Sequence, residues 1–355
     1  MNWLFLFIPV TLVLEHQHAP DPWVFFATAL AIVPAASLIV HSTEQIAKYT
    51  GDTVGGLLNA SFGNAPELII AVVALRAGLL DMVRASLIGG ILLNLLLALG
   101  IAFFLGGLRH HTQTYNTAGA RVYGSMMLIA AFSLMVPSAF NRFFASEETV
   151  RAEGLLNIGL AVVLLATYAL YLLFQLKTHP EEFAGQPGKK SDEAEAHEVR
   201  WSLPRAVGSL LGASVLAAFL SEILVGAAQG TGEALGMSAA FIGIVFLAIA
   251  GGAAGPPAVV IMARRNKMDL GVGIALGACI QIALFVAPVL VLVSYFVAPQ
   301  PLVLSFSRAE TGALFMAALI GALVAADGRS NWYKGVQLIA VYLIIALMFY
   351  FIPTG

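Results

Sequence analysis

Midway along an apolar run from Val54 to Ala77, the chain reads Asn59-Ala-Ser-Phe-Gly-Asn64-Ala-Pro66-Glu67. Amide, hydroxyl and carboxylate oxygens grouped in this way suit a cation, and a carboxylate in apolar surroundings also takes up a proton. Ala60, Gly63, Asn64 and Glu67 fall at i, i+3, i+4 and i+7, which predicts that they share one helix face. Gly63 and Pro66 weaken a helix at that point and free backbone carbonyls, so Gly63 can add an oxygen of its own. Glu67 is expected to bind an ion or to carry a proton. The plainer alternative is a protonated Glu67 bonded to neighbouring backbone.

Sliding the chain along itself reveals a second copy of this segment at an offset of 188. Gly63 falls on Gly251, Ala65 on Ala253, Arg76 on Arg264, Asp81 on Asp269 and Gly89 on Gly277, with no gap. The second copy, Ala250-Gly-Gly-Ala-Ala-Gly255-Pro256-Pro257, reads as a broken helix without a carboxylate. Gly252 stands where the first copy has Asn64, and Gly255 where it has Glu67. Backbone oxygens, Gly251 among them, are what it has to offer. Asn94 and Gln281 are the nearby amides within apolar runs, read either as further ligands or as packing groups that bond across helices. A metal ion is therefore expected on Glu67, Asn64 and Gln281. Glu222, also in an apolar run, is a candidate second charge, while Glu44 and Glu233 are auxiliary or merely interfacial charges.

The elements that must position these residues follow from composition. Of 355 residues, 59% are hydrophobic and only 11% charged, against about 25% charged in soluble domains, and the mean hydropathy is +0.89. An all-α integral membrane protein is expected, because a bilayer requires about 20 apolar residues per helix. Eleven such runs are read near 2–14, 23–47, 54–78, 82–107, 119–140, 152–176, 202–228, 238–263, 269–297, 309–326 and 334–353. No Lys or Arg precedes the first run and no small-residue cleavage site follows it, so a retained helix is expected rather than a signal peptide.

These runs divide the chain into a first helix and loop (1–22), a first repeat (23–176), an acidic linker (177–201) and a second repeat (202–355). Five spans per repeat is an odd number, so the second repeat must be inverted relative to the first, which is an architecture of secondary transporters with a midplane site. Thirteen of the 18 Lys and Arg residues fall on one side of this topology, among them Lys48, Arg109, Arg121, Lys177, Arg205, Arg264, Arg265, Lys267, Arg329 and Lys334. Cytoplasmic loops hold that excess, so the N-terminus and linker are expected inside and the C-terminus outside. Short loops and a compact chain suggest a prokaryotic plasma membrane.

Other classes find little support. A net charge of −2 with no basic, aromatic-interleaved stretch excludes nucleic-acid binding. Cys279 is the single cysteine, which leaves no Cys-based metal cluster. There is no P-loop, nucleophile elbow, HExxH or dinucleotide fingerprint, so an enzyme is not expected. His16, His18, His110 and His111 read as solvated surface residues. Partners are then membrane lipid and an inorganic cation, no cofactor is called for, and a homo-oligomer is compatible with the sequence.

Residues 56–70, Gly-Leu-Leu-Asn-Ala-Ser-Phe-Gly-Asn-Ala-Pro-Glu-Leu-Ile-Ile, resemble the first repeat motif of the calcium/proton exchangers, the CAX branch of the calcium/cation antiporter superfamily. Similarity extends through Asn266-Lys-Met-Asp269-Leu, Gln281-Ile-Ala-Leu-Phe285-Val and Asp327-Gly-Arg-Ser-Asn331-Trp, covering roughly residues 25–353. The resemblance implies eleven helices, an acidic cytoplasmic segment and alternating access around a central site. It also implies a second-repeat Gly-Asn-Ala-Ala-Glu-His, which here is Gly251-Gly252-Ala253-Ala254-Gly255-Pro256, and serine where this chain has Gly90, Leu93, Ala278 and Cys279. Calcium/proton exchange centred on Glu67 is the first expectation. Exchange of a monovalent or other divalent cation, and a non-transporting scaffold or sensor, are the alternatives, because one carboxylate leaves about one unit of a divalent charge uncompensated.

Overall fold

The computed structural model describes residues 2–50, 55, 57, 58, 61–144, 150–183 and 201–352. Asn59, Ala60 and most of the acidic linker, residues 184–200, lie outside the described residues. In a bilayer core a backbone must satisfy its own hydrogen bonds, and almost everything described is helical. The helices are α1 (Phe7–His16), α2 (Asp21–Thr50), α3 (Ala65–Arg76), α4 (Leu80–His110), α5 (Thr117–Phe144), α6 (Arg151–Thr178), α7 (Leu203–Leu235), α8 (Ala239–Gly251), α9 (Gly255–Arg264), α10 (Met268–Val297), α11 (Arg308–Ala325) and α12 (Trp332–Tyr350).

Among the described residues eight of these are long and apolar enough to cross a membrane, and the count is nine if α8 with α9, bent by 63°, is taken as one broken span. The expectation of eleven is thus not reached among the described residues. The first run yields only a short helix after a 3₁₀ turn at Asn2–Leu6. The run near 54–78 is described as a full helix only in its second half, α3.

The two halves correspond closely where the sequence repeats. Helices α4 and α10 begin at Leu80 and Met268, and each contains a π-helical turn at matching depth, Leu93–Ala98 and Ile282–Val286. These two helices form the buried centre, with Ile88, Leu92, Leu96, Leu276, Ile280 and Leu284 all buried. Where they touch, the Cys279 thiol donates to the Ile91 carbonyl at 3.5 Å, a contact between residues that are themselves 188 apart. Around this pair, α2 packs along α7, and α5 along α11. Two short strands, β1 (Thr112–Thr114) and β2 (Arg329–Asn331), pair antiparallel and tie the end of α4 to the start of α12.

The two ends of the central pair differ. At the start of α4, Gly89 abuts α8 so tightly that a Cβ would overlap the Ile244 carbonyl, and a Cβ on Gly243 of α8 would lie 2.6 Å from Ala85 Cβ. Gly277, the counterpart of Gly89 in α10, would meet nothing within 4 Å. The molecule is closed on one side of its centre and open on the other.

Candidate functional site

Glu67 lies in the first turn of α3, after a break at Gly63 and Asn64. Pro66 suits the second position of a helix, where no backbone N–H is needed, so the chain restarts here and not earlier. The expectation of one continuous helix face is therefore corrected: Gly63 and Asn64 form a turn, Glu67 belongs to the new helix, and Ala60 lies outside the described residues. Asn64 occupies the position before α3 but makes no capping bond with its side chain. Its amide instead donates to Gln281 Oε1 at 3.0 Å, joining the first half to the π-turn region of the second.

Across from α3, the second half is broken in the same manner. Helix α8 ends at Gly251, a turn covers Gly252 to Ala254, and α9 restarts at Gly255 with Pro256 and Pro257 in its first turn. Gly251 lets the two breaks meet, since a Cβ there would come within 2.9 Å of Glu67 Cγ. Oxygen Oε1 of Glu67 faces Gly252, 3.5 Å from where a Cβ would stand, while Oε2 is buried without a hydrogen-bond partner. An ionised carboxylate left in this way is costly, so the arrangement calls for a proton or a cation. Asn94 donates to the Gly90 carbonyl at 2.9 Å, and its Oδ1 stays on the side of Gly255, 3.3 Å from a Cβ built there.

Glu67, Asn64, Gln281, Asn94, Gly63 and Gly251 all line one cavity of about 460 Å³. Glu44 lies on its wall too, 3.8 Å from the ring of His41. The other two auxiliary charges do not belong there. Glu222 turns to the outer surface of α7, with 60% of its side chain exposed, and stands 3.9 Å from Arg76, so the proposed second charge is corrected to a surface ion pair. Glu233 is also exposed and accepts a bond from Gln229 at 3.4 Å. No cluster of three or more His, Cys, Asp or Glu able to hold a metal occurs among the described residues.

Sequence reasoning missed the rest of the cavity wall. Tyr115, Asn116, Tyr123, Tyr171, Gln175, Phe183 and Asp269 line the route from Glu67 to the loops after α4, α6 and α9. Polar residues near helix ends look like ordinary interfacial groups, and of these only Asp269 stands out in the sequence, as a repeat landmark. Glu67 also touches a second, small cavity of about 20 Å³, with Ser86, Gly90, Leu247 and Ile282 in its wall. That volume holds about one water.

Two broken helices from two half-chains, meeting at a buried carboxylate beneath a one-sided vestibule, define a membrane transporter of the repeated-half class. A family model described as sodium/calcium exchanger protein matches residues 21–177 and 205–351, and the chain belongs to that family. It is 39% identical to a "Ca(2+)/H(+) antiporter" of Aphanothece halophytica, over 99% of this chain and 96% of the relative. It is also 37% identical to "Ca(2+)/H(+) antiporter ChaA" of Bacillus subtilis, over 97% and 96%. Among solved structures, native YfkE superposes with a TM-score of 0.83 at 34% identity, covering 98% of this chain and all of that one. An H+/Ca2+ exchanger, CAX, reaches 0.70 at 14% identity over 98% and 90%, a likeness of fold.

Proposed function

We propose that this protein exchanges Ca²⁺ for protons by alternating access, with Glu67 holding the two in turn. The observation that carries the reading is the Glu67 carboxylate, set between the two broken helices on the wall of the vestibule with one oxygen buried and unpartnered. Relatives that match nearly the whole chain are named as Ca²⁺/H⁺ antiporters. Asn64, Gln281 and Asn94 would add neutral oxygens, and Gly63 and Gly251 backbone carbonyls, toward the roughly six to eight that Ca²⁺ takes. The wall of the vestibule includes Leu176, next to Lys177, and Asp269, two residues from Lys267, so its mouth is assigned to the face that carries Lys177 and Lys267. By the distribution of positive charge that face is cytoplasmic, which makes the described state inward-open in the proposed cycle.

One observation favours a second reading. Gly255 occupies the position equivalent to Glu67, so the second broken helix brings no carboxylate to face that of Glu67, and one charge balances one monovalent ion or one proton. The test is ion-driven proton movement in proteoliposomes with an internal pH dye, adding Ca²⁺, Na⁺ and K⁺ in turn. A Ca²⁺ response is expected, lost in Glu67→Gln while the purified variant keeps its melting temperature. Gly255→Glu is expected to increase apparent Ca²⁺ affinity by restoring a second charge. A response to Na⁺ or K⁺ alone would assign the monovalent reading, and undiminished Ca²⁺ exchange in Glu67→Gln would remove Glu67 from the mechanism.

A further inference from the structure

A separate cleft of about 510 Å³ lies at the opposite end of α9 from the cation site. It is lined by Arg109 and His110, which finish α4, and by Ile261, Arg264 and Arg265 around the end of α9. All three arginines are exposed, and none of them pairs with a carboxylate among the described residues. His110 Nε2 donates to the Arg264 carbonyl at 3.1 Å, so the two helix ends that hold the arginines are fastened together. The neighbouring outer surface is apolar: Leu108 is 57% and Ile261 46% exposed.

Depth in the membrane decides what such a cleft meets. Gly255 to Arg264 is 10 residues, or about 15 Å of helix, and half the hydrocarbon core is also about 15 Å. With the Gly255 end at the midplane and α9 taken along the bilayer normal, the Arg264 end reaches the level of the phosphates, and Leu108 and Ile261 then face acyl chains. Guanidinium groups bind phosphate oxygens through paired N–H donors, and basic clefts between membrane helices at this depth suit lipid headgroups.

We propose that Arg109, Arg264 and Arg265 form a binding site for the phosphodiester headgroup of an anionic phospholipid. The acyl chains of that lipid run along Leu108 and Ile261. The site is independent of which cation is transported. Its occupant braces α9, whose other end frames the Glu67 cavity through Gly255.

The test is native mass spectrometry of the full-length protein released from micelles containing equimolar phosphatidylglycerol and phosphatidylcholine. The wild type is expected to retain phosphatidylglycerol with about tenfold preference, and Arg109→Gln/Arg264→Gln/Arg265→Gln to retain the two equally. The corresponding triple lysine variant, which keeps the charge but loses the planar fork, is expected to fall between them. Arg308→Gln, at an exposed position at the start of α11, is expected to leave the preference unchanged. Equal retention of both lipids by the wild type overturns the proposal, whatever the variants do. Displacement of phosphatidylglycerol by an equal concentration of glycerol 3-phosphate overturns it as well, because the site would then recognise a soluble phosphate ester and not a lipid.

Discussion

Glu67, Asn64 and Gln281 share a cavity but not a task. Glu67 is the group to which the proposed mechanism assigns the exchange of charge, whereas Asn64 and Gln281 hold each other across the two halves through one bond of 3.0 Å. Removing one amide leaves the other without this partner in a cavity that water can reach, so each alanine variant is expected to cost only about 1 kcal/mol. The double variant should show a coupling energy of at least about 0.5 kcal/mol, and strictly additive losses would mean the bond contributes nothing. These three residues were legible because amides and carboxylates interrupt apolar runs at repeat-related places. Glu222 interrupts an apolar run in the same way, yet nothing in the sequence states which side of α7 it occupies. The tyrosines of the vestibule, Tyr115, Tyr123 and Tyr171, were illegible for the converse reason, since an amphipathic ring near a helix end suits an interface equally well.

Among the elements, the breaks before α3 and α9 were readable from Gly63, Pro66, Gly255 and Pro256, which weaken or start helices wherever they occur. The phase across the break was not readable, because a helix that stops and restarts loses the 3.6-residue register used to assign a common face. Gly89 and Gly277 carry the difference between the closed and the open side, and alanine reports on each. Gly89→Ala must push α4 from the Ile244 carbonyl and is expected to cost about 1–3 kcal/mol of stability. Gly277→Ala fits the described state without contact, so its stability should stay within about 0.5 kcal/mol of the wild type. If α10 must close as α4 has closed, Gly277→Ala is nevertheless expected to slow exchange in the proteoliposome assay. Normal exchange in that variant would show that α10 never makes the approach that Gly89 makes now.

For the whole molecule, Glu67 stands between two cavities of very different size, the vestibule of about 460 Å³ and the cavity of about 20 Å³. Cys279 is buried and is the one cysteine of the chain, so introduced thiols can be read against a low background. In the described state Gln175→Cys should react with a water-soluble maleimide, and Ser86→Cys should not. Equal labelling of both would mean that the protein in solution does not rest in this state. The double length of the fold was legible from the 188-residue offset, but the offset treats both halves alike and carries no information about which half is presently closed. That same offset gives the Cys279–Ile91 contact a particular meaning. A residue that touches its own counterpart sits on the line about which the halves are related, and exchanging the roles of the halves maps that line onto itself. In a proposed cycle that swaps the halves, this contact is a pivot, where a probe pair would report a constant distance while the gates around it open and shut.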